Sequence, residues 1–365
     1  MKKSFIILVL LSLFISGVYV VFAMETKQSI STLIPNTVTK SFSSPTPTQI
    51  PLPTTKILDN DYHIFQSFNN CGPASLSMAL SYFEIQKSQE ELGQSLRPYQ
   101  NVIGDNDDKS VTFAEMAKEA EKYNLVPYHR PNGDIELLKQ FISHDIPVLT
   151  RTWLHVNEDI GHYRVIKGYD TNTKQIIQDD SYEDKNLRFS YDDFNTMWEK
   201  FDYEYLVLVP KNKIALAEKI LGNNVDEHYA WRQAIEKNEQ ALKANPDDIY
   251  IKFNLSIAYY HRGEYKKSTE IFEQVETQLP FRTLWYQIEP ILAYYELGDY
   301  ERVLSITGNI LNNQNSAFSE AYILRGNVYN KQGNKEAARA EYEKAVFYNN
   351  NLKEAKEALK SVTSG

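Results

Sequence analysis

The sequence predicts an α+β domain followed by an all-α solenoid of helical repeats, both placed behind an N-terminal apolar helix. Three observations carry this expectation. The run from Phe5 to Met24 contains no charge. In the middle of the chain, amphipathic helices come first and strand-like runs follow, the order of an α+β domain with a largely antiparallel sheet. In the last third, one pattern recurs with glycines 35 residues apart, at 263, 298 and 333. Composition agrees with this layout. A chain of 365 residues suits two or three domains. With 42% hydrophobic and 13% aromatic residues a sizeable core forms and global disorder is excluded. The net charge of -9, without a basic run, argues against nucleic acid or anionic lipid as the main partner. The single cysteine, Cys71, cannot staple a domain or build a cysteine-based zinc site, so disulfide scaffolds and zinc ribbons are excluded.

Taken in order, Lys2 and Lys3 precede the apolar run. As a helix the run rises about 30 Å, enough to cross a hydrocarbon core. The two lysines favour an N-inside orientation with everything downstream translocated. Two readings fit: a signal peptide cut near Val21-Phe22-Ala23, or an uncleaved signal anchor. No cysteine follows the run, so a lipid-modified N-terminus is not expected. Either way the bulk of the chain is expected outside the cytoplasm, secreted or anchored to the membrane. From Glu25 to Lys56, 18 of 32 residues are Ser, Thr or Pro. Such a stretch buries little apolar surface and reads as an extended tether, reaching on the order of 100 Å in polyproline form.

The repeats are legible in detail. Ala258-Tyr259-Tyr260 leads to Gly263, Ala293-Tyr294-Tyr295 to Gly298, and Val328-Tyr329-Asn330 to Gly333. Five residues beyond each Gly stand Ser268, Val303 and Ala338, and four further on stand Phe272, Thr307 and Tyr342. Gly suits a left-handed cap on the first helix, and the small residue suits close packing of the second against it. The pattern resembles the tetratricopeptide repeat family, with units near 249–282, 284–317 and 319–352. The middle unit departs most, with Ile291, Val303 and Thr307 where small, small and aromatic residues are expected. Upstream, Ala234, Ala241 and Pro246 match only the second half of a unit, and 353–365 reads as a capping helix and tail. Such an array either presents a surface to a protein or peptide ligand or packs only on the domain before it.

The domain over 57–211 starts with an extended segment from His63 to Phe68 and a helix from Cys71 through Met78 to Tyr82. Ser88 with Glu91 and Thr112 with Glu115 are capping-box pairs that open two more helices. Leu137, Leu138, Phe141 and Ile142 mark a fourth at helical spacing. Strand-like runs follow at Pro147–Trp153, Tyr163–Tyr169, Lys174–Gln178 and Tyr205–Val209.

Three places carry chemistry. The first is the run from Gln66 through Asn70-Cys71-Gly72-Pro73. Pro is tolerated in a first helical turn, so Cys71 stands at a helix start, where the dipole favours thiolate. Gln66 has a side-chain amide suited to an oxyanion beside the thiol. On spacing alone an inert buried thiol fits equally well. The second is Gly161-His162-Tyr163, where a His opens an alternating strand; His155 is its rival on the neighbouring strand end. The third is Gln178-Asp179-Asp180-Ser181-Tyr182, where a carboxylate suits the other nitrogen of the His, or the run is simply a turn. Asp105-Asn106-Asp107-Asp108 lacks the downstream Glu of a calcium loop and reads as a solvated loop at the cleft mouth.

In the order Gln, Cys, His, Asp, these residues resemble the bacterial cysteine peptidases of the bacteriocin-processing type, family thirty-nine of cysteine peptidases, in its stand-alone extracellular members. The match spans about 57–211. It implies a papain-like fold, Cys71 as nucleophile, His162 as general base, Asp180 as the orienting acid and Gln66 as oxyanion donor, with no cofactor and no metal. Two departures stand out. Gln66 precedes Cys71 by five residues where such enzymes commonly have six, and the last motif reads Asp-Ser where Asp-Pro is usual. Asp179 stays an alternative to Asp180.

The expected organisation is therefore residues 1–24 signal peptide or signal-anchor helix, 25–56 linker, 57–211 papain-like domain, 212–248 connecting helices with a degenerate half repeat, 249–352 three tetratricopeptide repeats, and 353–365 cap and tail. The expected function is that of an exported, membrane-tethered or secreted cysteine peptidase acting on polypeptides, its repeats binding protein or peptide. The alternatives are an inactive binding protein of the same architecture and an acyl or amide transferase using the same three residues.

Overall fold

The computed structural model describes residues 52–99 and 111–363. The apolar N-terminal run, nearly all of the tether and the Asp105–Asp108 loop lie outside them. Among the described residues no helix is long and apolar enough to cross a membrane.

The first part of the described chain is mixed α/β. Its elements run β1 (Thr55–Ile57), α1 (Cys71–Ser81), α2 (Gln89–Leu96), α3 (Phe113–Glu121), β2 (Leu125–Arg130), α4 (Ile135–Ser143), β3 (Val148–His155), β4 (Glu158–Asp170), β5 (Gln175–Asp180), β6 (Leu187–Ser190), α5 (Tyr191–Trp198) and β7 (Tyr205–Pro210). The strands form one antiparallel sheet in the order β2-β7-β3-β4-β5-β6, with β1 added to the far end of β4. Both expected capping boxes are made: Ser88 and Thr112 accept from the backbone N–H of Glu91 and Glu115, whose carboxylates reach back. Apolar residues of α1–α3 pack with Leu149, Tyr163, Val165, Leu206 and Leu208, while those of α4 and α5 pack with Val148, Ile166, Ile176 and Val207. Alternate residues of each strand thus feed two cores, one on each side of the sheet.

Three strands go beyond the sequence reading. Thr55–Ile57 pairs with Gly168–Asp170, so strand structure begins within the last residues assigned to the tether. β2 contains Pro127, which removes a donor and masks a strand pattern, yet the strand sits at the sheet edge, where Pro is tolerated. β6 has only four residues, too few to show a period. The segment from His63 to Phe68 is irregular chain held by side chains rather than a strand.

Helices α6 (Ile214–Leu221) and α7 (Glu227–Ala244) lead into the repeats: α8 (Ile249–His261) with α9 (Tyr265–Phe272), α10 (Thr283–Tyr286), α11 (Glu289–Leu297) with α12 (Tyr300–Asn313), α13 (Ser319–Lys331) with α14 (Lys335–Tyr348), then α15 (Lys353–Thr363). Gly263, Gly298 and Gly333 all take positive φ (73, 76 and 78°) where each first helix ends, a conformation that costs Gly least. The packing behind them is a volume exchange. A Cβ at Gly326 would collide with the Tyr342 ring, so the small residue makes room for the large one. At the same repeat positions the middle unit has Ile291 and Thr307, both buried: the bulk has moved from the second helix to the first. The middle unit departs in a second way. Pro290 lies in the first turn of α11, so this helix starts late, and Thr283–Tyr286 forms a separate turn ahead of it.

One buried group links the two regions. Asp202, at φ 52°, accepts from Asn238 Nδ2 of α7 at 2.8 Å and is 5% exposed. Burial pushes its carboxyl up to about 7, against the opposing effects of Asn238 and Lys237. An unfolded Asp ionises near pH 4, so the folded state holds the extra proton between about pH 4 and 7 and stability falls as pH rises through that window. Asp202→Asn removes the charge and keeps the acceptor. It is expected to raise the unfolding free energy at pH 8, read from urea titration, by on the order of a few kcal/mol at most, and to change it little near pH 4. A variant no more stable than the parent at pH 8 would show that the charge is tolerated as it stands.

Candidate active site

The register of the sheet sets three side chains on one face. Thr152 pairs with His162 across β3 and β4, and Arg164 pairs with Asp180 across β4 and β5. His162 and Arg164 are two residues apart on one strand and so point the same way, and Asp180, opposite Arg164, joins them. Asp179 points to the other face. There it meets Lys167 Nζ at 3.1 Å and accepts from Asn186 N–H at 2.9 Å. Strand parity therefore decides between the two aspartates.

Asp180 is fully buried and saturated. His162 Nε2 donates to its Oδ1 at 2.9 Å and Arg164 Nη1 to its Oδ2 at 2.6 Å, while the N–H groups of Tyr182 and Glu183 donate to Oδ1 at 2.7 and 3.1 Å. Burial alone would raise this carboxyl, but the hydrogen bond and charge of His162, together with Arg164, hold it far below the usual carboxylate range. Arg164 is itself fixed by Thr152 Oγ1 at 3.2 Å and by the Leu154 carbonyl.

The thiol arrives from the other direction. Cys71 is the first residue of α1, so its N–H has no intrahelical partner. Ser75 Oγ donates to the Tyr163 carbonyl at 3.1 Å, which docks the helix beside the residue after His162. Gly72 permits the approach: an added Cβ would come within 3.0 Å of Met116 and 3.2 Å of Val111. Cys71 is half-buried and lines one cleft together with His162. Nε2 of His162 is committed to Asp180, so Nδ1 is its remaining nitrogen. Burial pushes the thiol up, but the neighbouring His162 imidazole, with Arg97 and the Gly72 N–H, outweighs it and holds the thiol below its ordinary value. Burial lowers His162, yet Asp180 and Cys71 together hold its imidazole above its ordinary value. Both shifts favour a thiolate beside an imidazolium.

His155 is elsewhere occupied. Its Nδ1 meets Glu158 at 2.6 Å and its Nε2 meets Glu183 at 2.8 Å. The structure thus sets Cys71 and His162 at one cleft, joins His162 to Asp180, and leaves His155 paired elsewhere.

Gln66 lines the same cleft, and both departures noted in the sequence meet on it. Ser181 Oγ donates to Gln66 Oε1 at 2.9 Å, and Gln66 N–H donates to the Ser181 carbonyl at 2.7 Å. The serine where proline is usual holds the carbonyl end of the amide, leaving its Nε2 donors for the cleft. The loop before the thiol is tied down by Gln89, whose amide bonds Ser67 N–H and the Phe65 carbonyl, both at 2.8 Å. Arg97, 3% exposed, donates to the Asn69 carbonyl at 2.6 Å.

The cleft encloses about 620 Å³, and its last wall comes from the repeats: Arg282, Trp285 and Tyr286. No sequence signal marked these residues, because the contact is made by a segment far along the chain. Arg164 did carry a signal, since an arginine two places after His162 on an alternating strand shares its face.

Residues 54–206 match the Peptidase_C39 like family. The middle of the chain is a C39-like domain, and tetratricopeptide-type repeats follow it. A TPR repeat-containing protein of Methanocaldococcus jannaschii is 30% identical over 126 residues, covering 32% of this chain and 22% of its own length, so the chain spans about a fifth of that relative. Among solved structures, a C39-like peptidase of Bacillus anthracis is 18% identical, covering 43% of this chain and 98% of its own at a TM-score of 0.35. The peptidase domain of Streptococcus ComA, a bi-functional ABC transporter, is 19% identical with the same coverages at 0.31. A thermophilic TPR protein of Thermus thermophilus is 21% identical, covering 42% of this chain and 80% of its own at 0.31. In the C39-like domain the matched stretch contains Gln66, Cys71, His162 and Asp180 together.

Proposed function

We propose that the chain is a cysteine peptidase in which Cys71, His162 and Asp180 act as a catalytic triad on a papain-like scaffold. The observation that carries this reading is the thiol at a helix start, sharing a cleft with an imidazole whose Nε2 is held by a buried carboxylate. The Cys71 thiolate attacks the scissile carbonyl carbon and a C–S bond forms, the oxyanion facing the Cys71 N–H and the Gln66 amide. As the C–N bond breaks, the imidazolium of His162 gives its proton to the leaving amine. Water then loses a proton to His162 and attacks the thioester. The C–S bond breaks and the thiolate returns beside a protonated His162. Asp180 holds the ring in place throughout.

In this reading residues 57–211 cleave, and the repeats over 249–352 bind the polypeptide or a protein partner. The charge-free run from Phe5 to Met24 and the tether after it support a location outside the cytoplasm, on the membrane if the run stays uncleaved. An electrophilic peptide probe is expected to modify Cys71 of the full chain, located by mass spectrometry, and to lose that labelling in His162→Ala. Folded protein whose thiol stays unlabelled would remove the peptidase reading. Labelling accompanied only by amide exchange onto an added amine would favour the transferase.

A further inference from the structure

The chain is acidic overall, with net charge -9, yet its cleft is lined by two arginines, Arg97 and Arg282. Among the described residues no carboxylate stands within ion-pair distance of either. The cleft-lining carboxylate, Glu158, is committed to His155. Arg97 is nine-tenths buried and spends a hydrogen bond on the Asn69 carbonyl, in the loop that leads to the thiol. Arg282 packs its guanidinium over the rings of Phe281 and Trp285, 4.6 and 5.8 Å from their centroids, a placement that leaves its N–H edge for a partner.

The turn that Arg282 opens is anchored at its far end, Tyr286, beside the strands that build the site. Arg151 of β3 donates to the Tyr286 carbonyl at 3.2 Å, and Arg151 is itself locked by Glu204 at 2.5 Å. The Tyr286 ring lies across Gly161, so close that an added Cβ would come within 3.0 Å of it, and Gly161 is the residue before His162. Tyr286, which closes the turn that Arg282 opens, thus meets those strands through both its carbonyl and its ring. The late start of α11 at Glu289 is what leaves this turn outside the regular repeat.

The rim is apolar as well as cationic. Phe68 and Tyr182 line the cleft and are 50% and 60% exposed, and Phe281 beside Arg282 is 52% exposed. Cationic groups with exposed aromatics beside a thiol and two oxyanion donors suit a polypeptide that brings both apolar side chains and a carboxylate.

We propose that Arg282, supplied by the repeat region, is a specificity-determining residue of the cleft and, with Arg97, selects polypeptides that carry a carboxylate near the bond presented to Cys71. This rests on the cleft being the substrate site of the proposed peptidase. The repeats then form part of that site and do not merely deliver to it. The carboxylate has two sources, an Asp or Glu side chain or a free peptide C-terminus, and the chemistry read is the same.

The test uses the full chain carrying Cys71→Ala, so that binding is read apart from turnover. Fluorescent peptides with Asp or Glu, their Asn or Gln isosteres, and C-terminally amidated versions of each are titrated by anisotropy. Acid-bearing peptides are expected to bind about tenfold more tightly than the isosteres. Arg282→Glu is expected to erase or invert that ratio, whereas Arg282→Lys keeps part of it. Sensitivity to amidation alone identifies the C-terminus as the source, and sensitivity to the isosteres identifies the side chain. Equal binding of acid and amide peptides, or a ratio unchanged in Arg282→Glu, overturns the inference. Hydrolysis by the parent chain is scored separately: acid preference without turnover removes the peptidase reading and keeps the cleft as a carboxylate-reading site.

Discussion

His162→Ala is expected to lower kcat/KM for peptide hydrolysis on the order of 10⁴-fold, because one ring serves both as the partner of the thiolate and as the acid for the leaving amine. The parent enzyme should show a bell-shaped pH profile. The rate rises as the Cys71–His162 pair loses its first proton, and the active thiolate–imidazolium form is then populated. It falls as the ring loses its own proton and can no longer protonate the amine. Since the thiol is held low and the imidazole high, the plateau between the limbs is wider than an isolated thiol and imidazole would give, and both limbs belong to the pair. In His162→Ala the residual activity should follow a thiol moved back up toward its ordinary value of 9.0. A profile whose acid limb stays in place in the variant would show that another group activates Cys71.

The second large effect concerns Asp180. Asp180→Ala leaves the fully buried Arg164 without its carboxylate and is expected to cost about 3–5 kcal/mol of stability, read from urea unfolding. Asp180→Asn keeps the shape and separates the two roles. It should retain more stability, yet still lower kcat by about 10²-fold or more and draw the alkaline limb of the pH profile down, because the charge that keeps His162 protonated is gone. Asp179→Asn is the control. It breaks the buried contact with Lys167 and should cost stability, while both limbs stay in place. If Asp179→Asn moves the limbs and Asp180→Asn does not, the aspartates have exchanged roles and strand parity was the wrong guide.

Much of this arrangement was legible in particular residues. The capping pairs Ser88 with Glu91 and Thr112 with Glu115 are local, so the sequence displays them and the structure makes them. The same holds for the repeat glycines, where a positive φ is a property of one residue and its neighbours. Cys71 before Gly72-Pro73 was readable as a helix start for the same reason. The strands β1 and β6 were not readable, because three and four residues cannot display a period, and Pro127 hid β2. Ser181 was visible as a departure, but its hold on Gln66 depends on how the loop before the thiol folds back.

The sequence by itself determined which groups are present and their local conformation: a lone thiol at a helix start, a histidine opening a strand, neighbouring aspartates closing another, and repeats with glycine caps. These follow from interactions among residues a few places apart. Only the tertiary structure decided which aspartate meets the ring, since pairing β4 with β5 fixes which alternate side chains share a face, and a shift of one residue would have exchanged Asp180 for Asp179. It also decided that the cleft is finished by Arg282, Trp285 and Tyr286. That contact joins segments far apart in the chain, and it depends on Pro290 delaying a helix so that one turn is left to reach the strand carrying His162.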